Sequence, residues 1–495
     1  MAKNINIQEC PEQSLFPKVI KGGFWVFGLR FIRQFFHLAR LIIIARLLAP
    51  HDFGLFGIAL LTMSILETFS QAGFQQALIQ KKERSEDFLN SAWTFLVIRG
   101  ALLFIMLYLL APTAAKFFGV PEAKLITQVL GVSVLLGSLT NIGVIYFQKE
   151  LEFNKQFILG FITIVVDFVV AVAAAVIMRN VWALVFGVLA GNIAGLILSY
   201  FLHPFRPRIK FSKYEVISLF RFGKWVWSSS VLVFLITQGD DIFVGKILGV
   251  AMLGYYQMAY KISNIPATEI SHIISQVTFP AYSKIQDNLP RLREAYLKVL
   301  QLTAFLSFPI AGLIFIFAPD FTRIFLGEKW MSIVPAMQIL VFAGLIRSIA
   351  VNSGFVFLAV GKPKIDTFWQ IVRFIIIVVL IYPFSKHMGI AGTSLVIFIS
   401  ILISSVGFSL SAIKITQCEL KVFIRSLGLP MINGIFVILL ILGLKSFLVM
   451  GAGVFILLVI IGIFTYILIS FILDNFYTYS LRSLIRNSIR AFKSI

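Results

Sequence analysis

The chain has 495 residues, of which 59% are hydrophobic and only 13% charged. A soluble protein of this length could not hide so much apolar surface, and continuous apolar runs of about 20 residues exclude a membrane β-barrel, whose strands are short and alternating. A net charge of +21 would suggest nucleic acid in a soluble protein, but in a membrane protein it places basic loops against the anionic inner leaflet, and no nucleic-acid partner is expected.

The pattern predicts an all-α polytopic membrane protein with fourteen transmembrane helices. Residues 1–18 are polar and are expected on the cytoplasmic membrane surface. Spans follow at 19–48, 52–78, 91–112, 124–147, 157–178 and 181–203, then a linker at 204–218. A second series runs 219–248, 251–279, 293–318, 334–360, 364–385 and 389–413. Two more spans, 427–449 and 451–473, precede a basic tail, 474–495, that reads as an amphipathic helix on the inner leaflet. The segments on the N-terminal side of the membrane hold roughly three times as many Lys and Arg as those on the other, so both termini are placed in the cytoplasm. Cys10 and Cys418, with five scattered histidines, build neither a disulfide framework nor a metal cluster.

The first span is the most unusual. It carries Arg30, Arg33, His37 and Arg40 at intervals of three, four and three residues. At about 100° per residue these lie on one narrow helix face. A cationic stripe inside a membrane is expensive and must face protein or water.

The chain also repeats. At a constant offset of 200, Gly23, Trp25, Leu48, Gly54 and Ala59 meet Gly223, Trp225, Leu248, Gly254 and Ala259, and Arg46 meets Lys246. Six spans per copy is an even number, so the two lobes, 19–203 and 219–413, are expected as a parallel repeat with a substrate cleft between them. The stripe is not repeated. Arg30, Arg33 and His37 meet Ser230, Val233 and Thr237, and Arg40 meets Asp240.

The stretch ARLLAPHDFGLFGIA, in which Ala45, Arg46, Leu47, Leu48, Pro50, Asp52, Phe53 and Gly54 form a motif, is followed by Phe74, Gln75, Gln76, Ala77, Leu78, Ile79 and Gln80. It resembles polysaccharide transporters of the multidrug/oligosaccharidyl-lipid/polysaccharide exporter superfamily, most of all the colanic-acid and teichuronic-acid exporters. The resemblance implies flipping of undecaprenyl-diphosphate-linked oligosaccharide across the bacterial inner membrane.

The charges inside the spans are consistent with that cargo. Arg30, Arg33, Arg40, Arg46, Arg99, Arg221, Lys224, Lys261, Arg347 and Arg373 outnumber Glu67, Asp167, Asp240, Asp241 and Glu269 about two to one, and an unpaired interior cation costs several kcal/mol. A water-filled cavity that receives an anion resolves this. Arg30, Arg33, His37 and Arg40, with Lys261, Arg347 and Arg373 from the second lobe, are the expected head-group residues, because guanidinium forks fit phosphate oxygens. Glu67, Asp167, Asp240 and Asp241 are the candidates for ion coupling or gating. The competing expectation for any of these is simple pairing. Gln34, Gln71, Asn141, Asn192, Gln238 and Asn352 are candidate sugar contacts or interhelical glue.

No GxxxxGK[ST] phosphate loop occurs, so a proton or sodium gradient is the expected energy source, with no cofactor. A cation antiporter of the same superfamily is disfavoured by the basic excess. A membrane polymerase or glycosyltransferase is disfavoured by the lack of a sizeable outer loop with an acidic motif. The expected partners are the lipid-linked oligosaccharide, the bilayer and polysaccharide-polymerase machinery, and the expected state is a monomer.

Overall fold

A computed structural model of the chain describes residues 12–70, 86–149, 152–210, 233–265, 267–268, 278, 281–476 and 482. These residues are helical almost throughout, and no strand occurs among them. In chain order the main helices are α1 (Glu12–Leu47), α2 (Pro50–Ser70), α3 (Glu86–Phe118), α4 (Ala123–Leu139), α5 (Phe153–Met178) and α6 (Trp182–Leu202). Then come α7 (233–247), α8 (Val250–Ser263), α9 (Leu289–Phe321), α10 (Val334–Ala359), α11 (Pro363–Thr416), α12 (Leu420–Ser446) and α13 (Ala452–Ile472). Among the described residues, nine helices are long and apolar enough to cross a membrane.

Two departures from the expected boundaries have physical causes, and one expected break, between 385 and 389, is met inside a continuous helix. α1 begins at Glu12, inside the segment expected on the surface. Hydropathy marks only the hydrocarbon crossing, and a helix continues past it because its backbone bonds are local. The fourth expected span breaks at Thr140. There Asn141 caps a short 3₁₀ turn, its Oδ1 accepting from the Gly143 N–H at 2.9 Å. Finally, α11 is 54 residues long, which as one straight helix would reach about 80 Å against a hydrocarbon core of about 30 Å. Gly389 interrupts it at φ 57°, ψ −138°. The hydroxyls of Ser385 and Thr393, eight positions apart, lie 2.8 Å from each other, so the chain doubles back at Gly389. The expected spans at 219–248 and 251–279 and the basic tail fall partly outside the described residues.

The chain separates into two compact units. One takes the described residues up to Leu48 and those from Ile58 to Leu235, and the other takes Ala49–Gly57 and the described residues from Ile236 onward.

In the first unit, Gly187, Gly191 and Gly195 follow one another every fourth residue along α6. A Cβ on Gly187 would meet that of Ala171 at 2.6 Å, one on Gly191 the Asp167 Cβ at 3.1 Å, and one on Gly195 the Thr163 Cγ2 at 3.1 Å. This stripe of small residues lets α6 lie close against α5 around Asp167. α1 packs on the same α5, with Phe36 edge-on to Phe168 at 5.2 Å and Leu29 over Gly160.

The second unit is held by a polar ladder between α9 and α10. Tyr296 meets Ser353 at 2.9 Å, Asn352 donates to Thr303 at 3.0 Å, and Ser348 donates to Ser307 at 2.9 Å. The hairpin of α12 and α13 seats on α9, where Lys445 Nζ donates to Asp320. Asn433 donates to Ser470 at 3.0 Å and ties the hairpin together.

Candidate functional site

The stripe on α1 splits in two. Arg40 Nη1 donates to Asp167 Oδ2 at 2.6 Å, and Nη2 reaches the Leu184 carbonyl at 3.4 Å. Those side chains are 13% and 21% exposed, so this is a mostly buried pair fixed by α1, α5 and α6. Arg33 and His37, one turn apart, are exposed, and Arg30 is half-buried.

Glu67 and Arg99 form a second arrangement in the same unit. Arg99 Nε donates to the Ser70 carbonyl at 3.0 Å, and its Nη2 to the Ser70 hydroxyl at 2.8 Å and the Glu67 carbonyl at 3.3 Å. Its charge faces that of Glu67. This guanidinium closes the last described turn of α2, where orphan carbonyls favour a cation.

In the second unit, Asp240, Arg347 and Arg373 gather around two tyrosines of α8, with Asp241 next to Asp240 in sequence. Asp240 on α7 is 3% exposed, and its Oδ2 accepts from the Tyr256 hydroxyl at 2.7 Å. Asp241 accepts from the Gln257 side chain. Arg373 on α11 is 7% exposed and stands within electrostatic reach of Asp240, Tyr256, Tyr260 and Arg347. Arg347 on α10 donates to the Tyr260 hydroxyl at 3.1 Å. Among the described residues, Asp240 Oδ1 and Arg373 Nε have no hydrogen-bond partner. Lys261, in the last turn of α8, is exposed.

Tyr256, Gln257 and Tyr260 were not anticipated. Their i, i+4 tyrosines on α8 were the available signal, since that spacing aims both at one neighbour. Two candidate sugar contacts serve the architecture instead. Asn141 Nδ2 donates to the Phe205 carbonyl at 2.7 Å, and Asn352 belongs to the α9–α10 ladder. Gln71 and Glu269 lie outside the described residues. Among the described residues no group of three or more His, Cys, Asp or Glu could hold a metal ion.

A family model described as "Polysaccharide biosynthesis protein" matches residues 43–335. The chain belongs to this family. It is 26% identical over 424 residues to the lipopolysaccharide biosynthesis protein WzxC of Escherichia coli (strain K12), covering 84% of this chain and 85% of that one. It is 29% identical over 301 residues to the teichuronic acid biosynthesis protein TuaB of Bacillus subtilis (strain 168), covering 60% and 62%. The structure of the lipid II flippase MurJ in an inward closed conformation matches with a TM-score of 0.73 at 15% identity, over 92% of this chain and 99% of that one, which shows a shared fold. The chain is therefore a polytopic helical member of the polysaccharide biosynthesis protein family, with nine described helices long and apolar enough to cross a membrane.

The stretch that carries the polysaccharide-family resemblance has a clear local logic. Pro50 opens α2, where its missing N–H costs nothing. Asp52 Oδ2 accepts from the Ala49 N–H at 2.9 Å, the reciprocal half of a capping box. Phe53 packs edge-on to the fully buried Trp330 at 5.1 Å. Gly54 is there because a Cβ would stand 1.9 Å from the Val250 carbonyl oxygen, and one on Gly254 would stand 2.0 Å from that of Pro50.

Proposed function

We infer that this protein is a flippase that carries undecaprenyl-diphosphate-linked oligosaccharide from the inner to the outer leaflet of the bacterial inner membrane. The observation that carries the reading is the divided charge on α1. Arg40 is matched to Asp167 within the fold, while Arg33 and His37 remain exposed beside it. An exposed cationic helix face in a transport protein suits a lipid diphosphate and repels the organic cations of a drug antiporter. No bond is made or broken in the cargo. The head group enters a water-filled site, the polyprenyl tail stays in lipid, and alternating access moves the head.

The same proposal includes fourteen spans in two six-helix lobes plus two extra helices, both termini in the cytoplasm, a monomeric carrier, work alongside polymerase machinery, and coupling to a proton or sodium gradient through an intramembrane carboxylate. The two-copy reading is supported by local symmetry. α1 ends at Leu47 and α2 starts at Pro50, α7 ends at 247 and α8 starts at Val250, and Gly54 and Gly254 each abut the other helix's first carbonyl.

The test is reconstitution in liposomes with a labelled undecaprenyl-diphosphate oligosaccharide. The expected result is transfer of label to the far leaflet, lost on Arg33→Glu and slowed when ion gradients are collapsed. A wild-type protein that moves no label would overturn the reading.

A further inference from the structure

The turn between α3 and α4 frames a cavity that the cationic face of α1 does not involve. Its volume is about 430 Å³, its walls include Pro112, Val120 and Pro121, and Lys116 and Lys124 flank it. Small-molecule sites run from about 300 to 1,000 Å³. The frame is rigid. Gly119, at φ 74°, ends α3 in the left-handed region. The Val120 N–H donates to the Ala115 carbonyl at 2.8 Å and the Gly119 N–H to the Lys116 carbonyl at 3.2 Å, a Schellman motif in which Val120 and Ala115 are both buried. Pro112 leaves the Tyr108 carbonyl without its helical donor, and Gln128 Nε2 of α4 takes that place at 3.2 Å. Lys116 and Lys124 are therefore presented from fixed backbone, and both are exposed. Among the described residues neither forms an ion pair, although Glu122 stands in the same turn.

An apolar stripe on α3 leads to this cavity. Leu102, Ile105, Leu109, Pro112 and Lys116 follow one another at intervals of three and four, so they share one helix face, and all five are exposed. From Lys116 down to Ile105 the helix rises roughly 16 Å, about half of a hydrocarbon core of about 30 Å. We propose that this face is a binding site for a bilayer phospholipid with an anionic head, its phosphate held between Lys116 and Lys124 and one acyl chain lying along Leu109, Ile105 and Leu102. The apolar walls and stripe suit the glycerol and the chain. The two ammoniums, with no carboxylate paired to them, select a head of net negative charge. A zwitterionic head brings its own ammonium, which the lysines repel. By the loop charges this site faces the outer leaflet. The inference goes beyond the flippase reading and does not depend on which cargo is carried.

The experiment uses the full-length protein in nanodiscs containing phosphatidylglycerol with a photoactivatable acyl chain, or phosphatidylcholine with the same chain, and maps the cross-linked peptides by mass spectrometry. The expected result is preferential labelling of α3 between Leu102 and Leu109 by phosphatidylglycerol. Lys116→Ala/Lys124→Ala should lower that labelling roughly tenfold, and Lys116→Arg/Lys124→Arg, which keeps the charge, should retain it. Arg179→Ala/Lys386→Ala removes the same charge from two other exposed positions and should leave the labelling unchanged. If the double lysine variant does not accumulate, Lys124→Ala alone is expected to lower labelling about threefold. Equal labelling by the two lipids, or labelling indifferent to the lysines, overturns the proposal. So does displacement by millimolar inorganic phosphate, which would make the pocket a free-ion site, or by undecaprenyl diphosphate at trace level, which would make it a cargo site. Transfer of a labelled undecaprenyl-diphosphate oligosaccharide, measured separately, decides the flippase reading on its own.

Discussion

Arg33 and Arg40 sit two turns apart on one helix, and the physics separates them. Arg40 is 13% exposed and bonded to a carboxylate that is 21% exposed. Removing one partner strands the other charge in the interior, so Asp167→Ala is expected to cost about 2–3 kcal/mol, somewhat less than a fully buried pair. Replacing both, as Arg40→Met with Asp167→Leu, should recover most of that, because an apolar pair of similar volume avoids the desolvation cost. Denaturant unfolding in nanodiscs measures both, and a double variant no better than the single one would contradict the pairing. Arg33→Ala should leave stability within about 0.5 kcal/mol, as surface changes usually do, while flipping of the labelled lipid falls sharply. Spacing alone put the two arginines on one face. It could not say which of them had a partner, because that partner is more than a hundred residues away on α5.

Helices meet here through glycine, and the consequence is measurable at two points. A Cβ at Gly54 would stand 1.9 Å from the Val250 carbonyl oxygen, a backbone atom that cannot swing aside. Gly54→Leu is therefore expected to push α2 and α8 apart and cost 1–3 kcal/mol or more, about what overpacking costs elsewhere. Its repeat mate, Gly254→Leu, should do the same against Pro50. Gly443 on α12 is the control, with open space where its Cβ would go. Gly443→Ala should be neutral or stabilising by up to about 1 kcal/mol. Thermal midpoints of the three purified variants decide this, and an intact Gly54→Leu protein would refute the crossing.

At this scale the sequence was largely legible. Hydropathy located the apolar helices, and the offset of 200 paired Gly54 with Gly254 before any contact was known. What stayed hidden were the breaks at Thr140 and the early start at Glu12, since caps and interfacial extensions leave almost no hydropathy signal. The tyrosines around Asp240 stayed hidden too, because aromatic residues are ordinary in apolar helices.

For the whole molecule, the quantity that sets orientation is the uneven distribution of Lys and Arg between the two series of loops. Two exposed positions on opposite predicted sides make it testable. Ile209, 85% exposed, lies in the basic linker after α6, and Val449, 93% exposed, lies in the turn between α12 and α13. With Cys10 replaced by Ser, Cys418 can stay in place, because it is buried and desolvation holds its thiol above the usual range, leaving little reactive thiolate. In intact cells a membrane-impermeant maleimide is expected to label Val449→Cys, and to label Ile209→Cys only after permeabilisation. The reverse pattern would invert the carrier, place the exposed α1 cations in a pathway running the other way, and remove the basis for cargo loading from the cytoplasmic leaflet. Labelling of both in intact cells would require an odd number of spans between 209 and 449 to become even, contrary to the seven expected there. On the proposed flippase reading, the charge asymmetry corresponds to loading from the cytoplasmic leaflet, and two cysteines suffice to check it.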